Sequence, residues 1–181
     1  MSTAPTHTLQ PTLLLAWGED RPGILDEVAH FLYERGANIS DSKLLSARGT
    51  FILMIVLATD SPGMARIRTD LAGLASSSRI GAELRDAKPE HHAEGAFPYR
   101  FTASGSDQAG VLHKLSHLLR ALNVNIEDVH TRVSPARESH RPQFELRLLL
   151  SVPRATPVIK LREYLGTLCG ELGIQWDLVA G

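Results

Sequence analysis

The sequence predicts an α+β fold in which one βαββαβ unit occurs twice, each unit with a four-stranded antiparallel sheet and two helices on one face. Three observations predict it. A short turn motif recurs further along the chain, apolar runs of strand and helix type follow each copy in the same order, and a polar stretch containing Pro and Gly separates the halves. With 181 residues, 43% hydrophobic and 22% charged, the chain has the composition of a globular protein and room for two small domains.

The recurring motif is GEDRPGIL, residues 18–25, which returns as GSDQAGVL, residues 105–112. Aligning residues 18–41 with 105–128 without gaps gives nine identical pairs. These pairs are Gly18/Gly105, Asp20/Asp107, Gly23/Gly110, Leu25/Leu112, His30/His117, Leu32/Leu119, Asn38/Asn125, Ile39/Ile126 and Asp41/Asp128. We interpret the match as an internal duplication, which constrains the whole fold.

The first half opens with a buried strand at Leu13–Trp17 and continues into an amphipathic helix. Asp20 is expected to cap this helix, Pro22 to lie in its first turn, and Gly36 to end it in a left-handed conformation. The predicted apolar stripe of the helix comprises Ile24, Leu25, Val28, Phe31 and Leu32.

A hairpin is predicted next, with strands at Lys43–Ala47 and Phe51–Ala58. The second strand, FILMIVLA, is apolar on both faces, which is typical of a central strand or of one whose far face is covered. Ser61-Pro62 then opens a second helix, and Ile80–Ala87 forms a last strand.

The order restarts after a polar segment, so we predict a flexible tail at 1–11, one domain at 12–88, a linker at 89–96 and a second domain at 97–181. In the second half, Asn123 and Gly173 are expected to end the helices. Cys169 falls on the inward stripe of the last helix and is expected to be a core residue rather than a reactive thiol. The predicted strands are Phe97–Ala103, Val129–Val133, Gln143–Val152 and Ile174–Val179.

Composition argues against several function classes. The formal net charge is −1, without a Lys/Arg cluster, so we expect no direct binding of nucleic acid. The single cysteine suits a reducing, cytoplasmic compartment, and no stretch approaches the roughly 18 apolar residues of a membrane span. The chain contains no HExxH, GxSxG, P-loop or GxGxxG motif, so catalysis, a metal and a cofactor are not expected.

The repeated strand-to-helix turn has a use in recognition. First-turn N–H groups and the helix dipole favour a carboxylate or phosphate, and Gly23 or Gly110 lets a ligand approach the backbone. Asp20 or Asp107 can accept hydrogen bonds from an ammonium group, and Asn38 or Asn125 can serve either kind of group. These residues equally suit capping and turning of the chain, and the residues alone leave both readings open.

The phrase GEDRPGIL, followed by a helix and GANISD, resembles the signature of ACT domains, small regulatory modules with a ferredoxin-like βαββαβ fold. The copy SDQAGVL with NVNIED is a weaker match. Two such copies over about residues 12–180 resemble the tandem-ACT family of glycine cleavage system transcriptional repressors.

The resemblance implies that a ligand, usually an amino acid, sits at an interface between ACT domains against the first strand-to-helix loop. Because Gln108 and Ala109 replace Arg21 and Pro22, we expect the first turn to be the stronger site. Carried over by position, the implied residues are Asp20, Arg21, Gly23, Ile24, Leu25 and Asn38 in the first copy, and Asp107, Gly110, Val111, Leu112 and Asn125 in the second.

Two functions remain open. The first is a non-catalytic sensor that binds a small amino acid, such as glycine or serine, and modulates transcription through an activator protein. The second is a ligand-independent protein–protein interaction module. Since FILMIVLA is too apolar to face water, we also expect the halves to pack together or the chain to form a homodimer.

Overall fold

A computed structural model describes residues 11–87, 95–135 and 142–181. The chain divides into two compact units, Met1–Pro89 and Glu90–Gly181. The predicted tail at 1–11 and linker at 89–96 fall almost wholly outside the described residues, so the predicted domain limits stay a prediction.

The first unit has the predicted order of strands and helices. Its sheet runs β2-β3-β1-β4 with antiparallel neighbours, which makes β3, the FILMIVLA strand, a central strand. The elements are β1 (Thr12–Glu19), α1 (Ile24–Glu34), β2 (Asn38–Ala47), β3 (Thr50–Ala58), α2 (Ser61–Ser78) and β4 (Gly81–Asp86).

The second unit repeats this architecture with the sheet order β6-β7-β5-β8. Its elements are β5 (Phe97–Ser106), α3 (Val111–Ala121), β6 (Asn125–Ser134), β7 (Gln143–Val152), α4 (Val158–Leu172) and β8 (Gln175–Ala180). The predicted fold class, two ferredoxin-like α+β units, is confirmed. Strands β2 and β6 begin earlier than predicted. Their first four residues, NISD and NIED, are mostly polar and contain one isoleucine each, so no apolar alternation marks them in the sequence.

Each unit has its own buried core between its sheet and its helices. In the first, Phe51, Leu53 and Ile55 of β3 are fully buried together with Val28 and Leu32 of α1. Alternate residues of a strand point to opposite faces, so one face of FILMIVLA fills this core while the other stays outside it. In the second unit Cys169 is buried as predicted, and burial raises the pKa of its thiol to about 11.

The start of α1 differs from the prediction. The helix begins at Ile24, its N-cap is Gly23 with φ +90°, and no side chain caps it, so the prediction that Asp20 caps the helix is wrong. Pro22 lies in the turn before the helix. The predicted left-handed stops are confirmed, with φ +72° at Gly36, +55° at Asn123 and +64° at Gly173.

Leu25 departs from the predicted inward stripe of its helix, and its counterpart Leu112 in the second unit is exposed in the same way. They are 45% and 41% exposed. Each follows the first residue of its helix by one position, a turn of about 100°, which points it away from the sheet. Both leucines therefore lie on the surface beside the recurring turn. Within the described ranges, no helix has the length and hydrophobicity needed to cross a bilayer.

Candidate functional site

The first turn, Asp20–Gly23, is fixed to the hairpin between β2 and β3. The backbone N–H of Asp20 donates to the carbonyl of Gly49 at 2.8 Å. The hydroxyl of Ser46, on β2, donates to the Asp20 carboxylate. These contacts hold an exposed carboxylate at one end of the sheet. The sequence did not reveal Ser46 or Gly49 as partners, because both contacts join segments far apart in the chain.

Arg21 ties the same turn to both helices. Its guanidinium donates two hydrogen bonds to the Glu27 carboxylate, at 2.6 and 2.7 Å, and lies 3.4 Å from the carbonyl oxygen of Ser78 at the end of α2. The hydrogen bond from Arg21, followed by one from Ser78, lowers the pKa of Glu27 to about 2, while the bond to Glu27 raises the pKa of Arg21. The positive charge of Arg21 is thus matched by Glu27, and the pair braces the turn.

Gly23 leaves the start of α1 open. Its φ of +90° suits glycine, and a Cβ placed there would meet no atom within 4 Å. Because no side chain caps α1, its first N–H groups and the positive end of its dipole face an accessible surface. Ile24 is 3% exposed, so its side chain belongs to the core, and its N–H donates to the carbonyl of Arg21 at 3.4 Å.

Asn38 lies at the other end of the sheet from Asp20. Asn38 pairs with Ala58, whereas Ser46, the partner of Asp20, pairs with Phe51. At about 3.3 Å per residue, the eight steps along β2 separate Asn38 from Ser46 by roughly 26 Å. Strands β1 and β2 are parallel, and the helix α1 between them returns the chain to the end of the sheet where β1 began. This rule would have revealed the separation of Asn38 from Asp20 from the sequence.

The second turn repeats the backbone of the first. The N–H of Asp107 donates to the carbonyl of Pro142 at 2.8 Å, and Gly110 has φ +88° at the uncapped start of α3. Val111 is buried, as Ile24 is. At the far end of the unit, the Asn125 amide donates to Glu127 at 2.7 Å.

The side chains around the two turns differ. Gln108, in place of Arg21, donates to the carbonyl of Leu172 at 2.8 Å, so it braces the turn without a charge. Val133 occupies the position of Ser46 and has no hydroxyl to donate to Asp107. Among the described residues, Ser46 thus orients the Asp20 carboxylate, whereas Val133 cannot do the same for Asp107.

A groove between α1 and α2, of about 950 Å³, runs beside the first turn. Its polar side chains contact one another, with Arg35 lying 2.9 Å from Asp70 and His30 lying 3.3 Å from Glu34. The corresponding groove between α3 and α4, about 410 Å³, includes Leu118, Ala121 and Leu168 in its lining. The sequence analysis missed both grooves because each is built from two helices.

The fold and the turn of the first unit are those of an ACT domain. Residues 10–84 match the family model described as ACT domain. The first unit is an ACT domain, and the chain as a whole carries the tandem ACT-like fold.

More particularly, the chain is similar to a transcriptional regulator. It is 22% identical over 180 residues, 98% of this chain and 92% of the relative, to the glycine cleavage system transcriptional repressor of Escherichia coli (strain K12). The resemblance inferred from the sequence is thereby confirmed over nearly the full length.

Two solved structures share the fold over nearly the whole chain. One, a protein of unknown function from Galdieria sulphuraria, has a TM-score of 0.81 at 19% identity, covering 95% of this chain and 98% of that one. The other, provisionally assigned as a glycine cleavage system transcriptional repressor, has a TM-score of 0.72 at 22% identity, covering 96% and 99%. A chain of two consecutive βαββαβ units thus recurs in proteins of distant sequence.

Proposed function

We propose that this chain is a non-catalytic regulatory protein that senses a small amino acid at its first strand-to-helix turn and modulates transcription through a protein partner. The ACT match of the first unit and the full-length similarity to a transcriptional repressor support the regulatory role. Glycine and serine are the proposed ligands, an activator protein the proposed partner, and the cytoplasm the proposed compartment.

The observation that carries the proposal is the pairing of opposite recognition chemistry at one turn. Asp20 presents an exposed carboxylate to an ammonium group, and the uncapped start of α1 at Gly23 presents N–H groups to a carboxylate. A free amino acid carries both groups on one carbon.

In this proposal Arg21 positions the turn rather than binding the ligand, since Glu27 already takes its two hydrogen bonds. Glu27 itself, with a pKa of about 2, stays ionised near neutral pH and is poorly matched to proton transfer. Binding thus accounts for the arrangement of charges better than acid–base catalysis does.

Asn38 enters the proposed site from a second ACT domain. Because Asn38 begins β2 and Asp20 contacts Ser46 near the other end of that strand, one unit cannot bring both to a small ligand. Strand β2 is an exposed edge strand, and two such edges running antiparallel would bring the start of one beside the end of the other. Ligand binding would then be coupled to association, as a sensor requires.

The proposal predicts that the full-length chain binds glycine or serine, and that Asp20→Ala weakens binding by tenfold or more because the ammonium group loses its charged partner. Asp107→Ala is the matched control in the second turn and should change the affinity little. Isothermal titration calorimetry over the twenty amino acids measures both effects. Equal losses in the two variants would contradict the choice of the first turn, and no heat at millimolar ligand would contradict amino-acid sensing.

The alternative function, a ligand-independent interaction module, is favoured by one observation, the apolar outer face of the first sheet, where Ile52 and Met54 are 49% and 41% exposed. It predicts no amino-acid binding and full partner regulation in the Asp20→Ala variant. A transcription assay with the partner activator separates the two functions.

A further inference from the structure

The sheet of the first unit has an outer face opposite its helices, and this face is apolar. We define the open face as the outward residues of its four strands. Three rows cross all four strands in the order β2, β3, β1, β4: Leu45, Ile52, Trp17, Gly81; then Lys43, Met54, Leu15, Glu83; then Asp41, Val56, Leu13, Arg85. A shorter row beside the first one carries Ala47, Thr50 and Glu19.

The most exposed apolar side chains of the open face lie in one row. Leu45 is 56% exposed, Ile52 49% and Trp17 44%. The ring of Trp17 lies against Gly81, where any Cβ would collide with it, so the indole spreads across the neighbouring strand. A contiguous apolar surface of this kind marks an interaction site.

The equivalent face of the second unit has a different character. Its central rows carry Arg100, Thr102, Glu145 and Arg147. Packing such charged groups on an apolar surface would remove them from water without compensation. The polar face therefore needs no cover, and it is a poor partner for the open face.

Within the three rows that cross all four strands, the charges lie at the two edges and their signs alternate, while Glu19 of β1 lies in the shorter row next to Trp17. Strand β2 carries Lys43 and Asp41, while β4 carries Glu83 and Arg85, which are joined by a 2.8 Å hydrogen bond. The row of Lys43 and the row of Asp41 thus each have a base at one end and an acid at the other, with apolar residues between them.

This pattern is complementary to itself. A two-fold axis parallel to the strands, between two facing sheets, places β2 of one copy over β4 of the other. Lys43 then faces Glu83 of the second copy, Asp41 faces Arg85, and the apolar row containing Trp17 and Ile52 faces its own equivalent. Two sheets packed face to face align their strands within about 30°, which keeps these rows in register.

We propose that the open face is the site where a second copy of this chain docks, forming a two-fold dimer through the facing sheets of the two first units. The interface has an apolar centre and a polar rim, the usual anatomy of a protein interface. The dimer does not depend on amino-acid binding, so it stands or falls separately from the proposed sensing function.

Sedimentation equilibrium of the full-length chain tests whether a second copy of the chain binds the open face. We expect a dimer at micromolar concentration, and Ile52→Glu should abolish it by placing a charge at the apolar centre. Ile159→Glu is the matched control, because Ile159 is an exposed isoleucine (74%) on α4 of the second unit. A monomeric wild-type chain would overturn the proposal, as would equal effects of the two variants.

Charge reversal tests the two-fold geometry. Lys43→Glu and Glu83→Lys should each weaken the dimer about tenfold, since each replaces two attractive rim contacts with repulsive ones. An equimolar mixture of the two variants should dimerise as well as the wild type, because both rim contacts become attractive in the mixed dimer. If the mixture dimerised no more strongly than either variant alone, the proposed axis would be overturned, because Lys43 would then not lie opposite Glu83.

Discussion

At the residue scale, the pair Arg21–Glu27 decides how the proposed recognition turn is held. Arg21 precedes the helix, Glu27 lies in its first turns, and the backbone carbonyl of Ser78 receives the second contact of the guanidinium. A positive side chain next to a proposed ligand site would be expected to bind the ligand carboxylate. The geometry assigns it a bracing role instead, and the neutral Gln108 fills the same role in the second unit.

The pH dependence of stability follows from this pair. The pKa of Glu27 is lowered from 4.5 to about 2 in the fold, so ionised Glu27 stabilises the protein above pH 4.5, and this contribution is lost as the pH falls towards 2. Glu27→Gln should therefore lower the free energy of unfolding at pH 7, and the difference from wild type should shrink steadily below pH 4.5. Urea denaturation followed by circular dichroism measures this difference.

The matched control for this prediction is Glu34→Gln, on the exposed end of the same helix, where Glu34 meets His30 at 3.3 Å. Its effect between pH 7 and 3 should be smaller than that of Glu27→Gln. A Glu27→Gln difference that stayed constant over this range would contradict the assigned role of the ion pair.

At the element scale, α1 begins through a left-handed glycine rather than through a capping side chain. Gly23→Ala should destabilise the first unit by about 1 kcal/mol, because φ +90° is costly for a residue with a Cβ even where space is free. Gly73→Ala, in the interior of α2 with equal space around it, should instead stabilise by about 0.5–1 kcal/mol. Thermal or chemical unfolding of both variants compares them directly, and a Gly23→Ala protein as stable as wild type would contradict the strained entry.

The elements show where sequence reasoning succeeds. The ends of the helices at Gly36, Asn123 and Gly173 were predicted because a left-handed stop is a local signal carried by one residue. The helix start was misassigned because Asp20 and Asp60 both precede a Pro and a Gly, and only Asp60 binds a first-turn N–H, that of Gly63 at 2.7 Å. The Asp20 carboxylate is instead oriented by Ser46, a tertiary contact that local sequence does not indicate.

The site shows the same division between local and distant information. The Gly23 turn could be located from its motif, and the exposure of Leu25 from the position where the helix starts. Asn38 could be chosen as a candidate from the repeat, but its distance from Asp20 depends on the direction of β2 within the sheet. Local sequence specifies the kinds of groups, whereas sheet topology decides which groups meet.

At the scale of the whole molecule, the duplicated halves have kept one architecture and diverged in surface chemistry. Both units have the same strand order, the same glycine-led helix entry and a brace from the turn to the second helix. They differ at Ser46 and Val133, and in the outer faces of their sheets. The duplication could be predicted from nine shared residues, but the contrast between an apolar and a charged outer face became visible only once the strands were paired.

This divergence assigns different proposed tasks to the two units. The first carries the oriented Asp20 carboxylate and the apolar open face, so both ligand binding and dimerisation are proposed there. The second has a polar sheet face and a turn that is braced by the neutral Gln108, and it serves in this account as the lesser site. The domain limits 12–88 and 97–181 stay a prediction from the sequence.

The central claim, that the first turn senses a small amino acid, is tested most directly by titrating glycine and serine into the ¹⁵N-labelled full-length chain and following its amide resonances. We predict saturable shifts at Gly23, Ile24 and Leu25, with much smaller changes at Gly110, Val111 and Leu112. The absence of shifts at both turns up to millimolar ligand, or saturation confined to the second turn, would contradict the account.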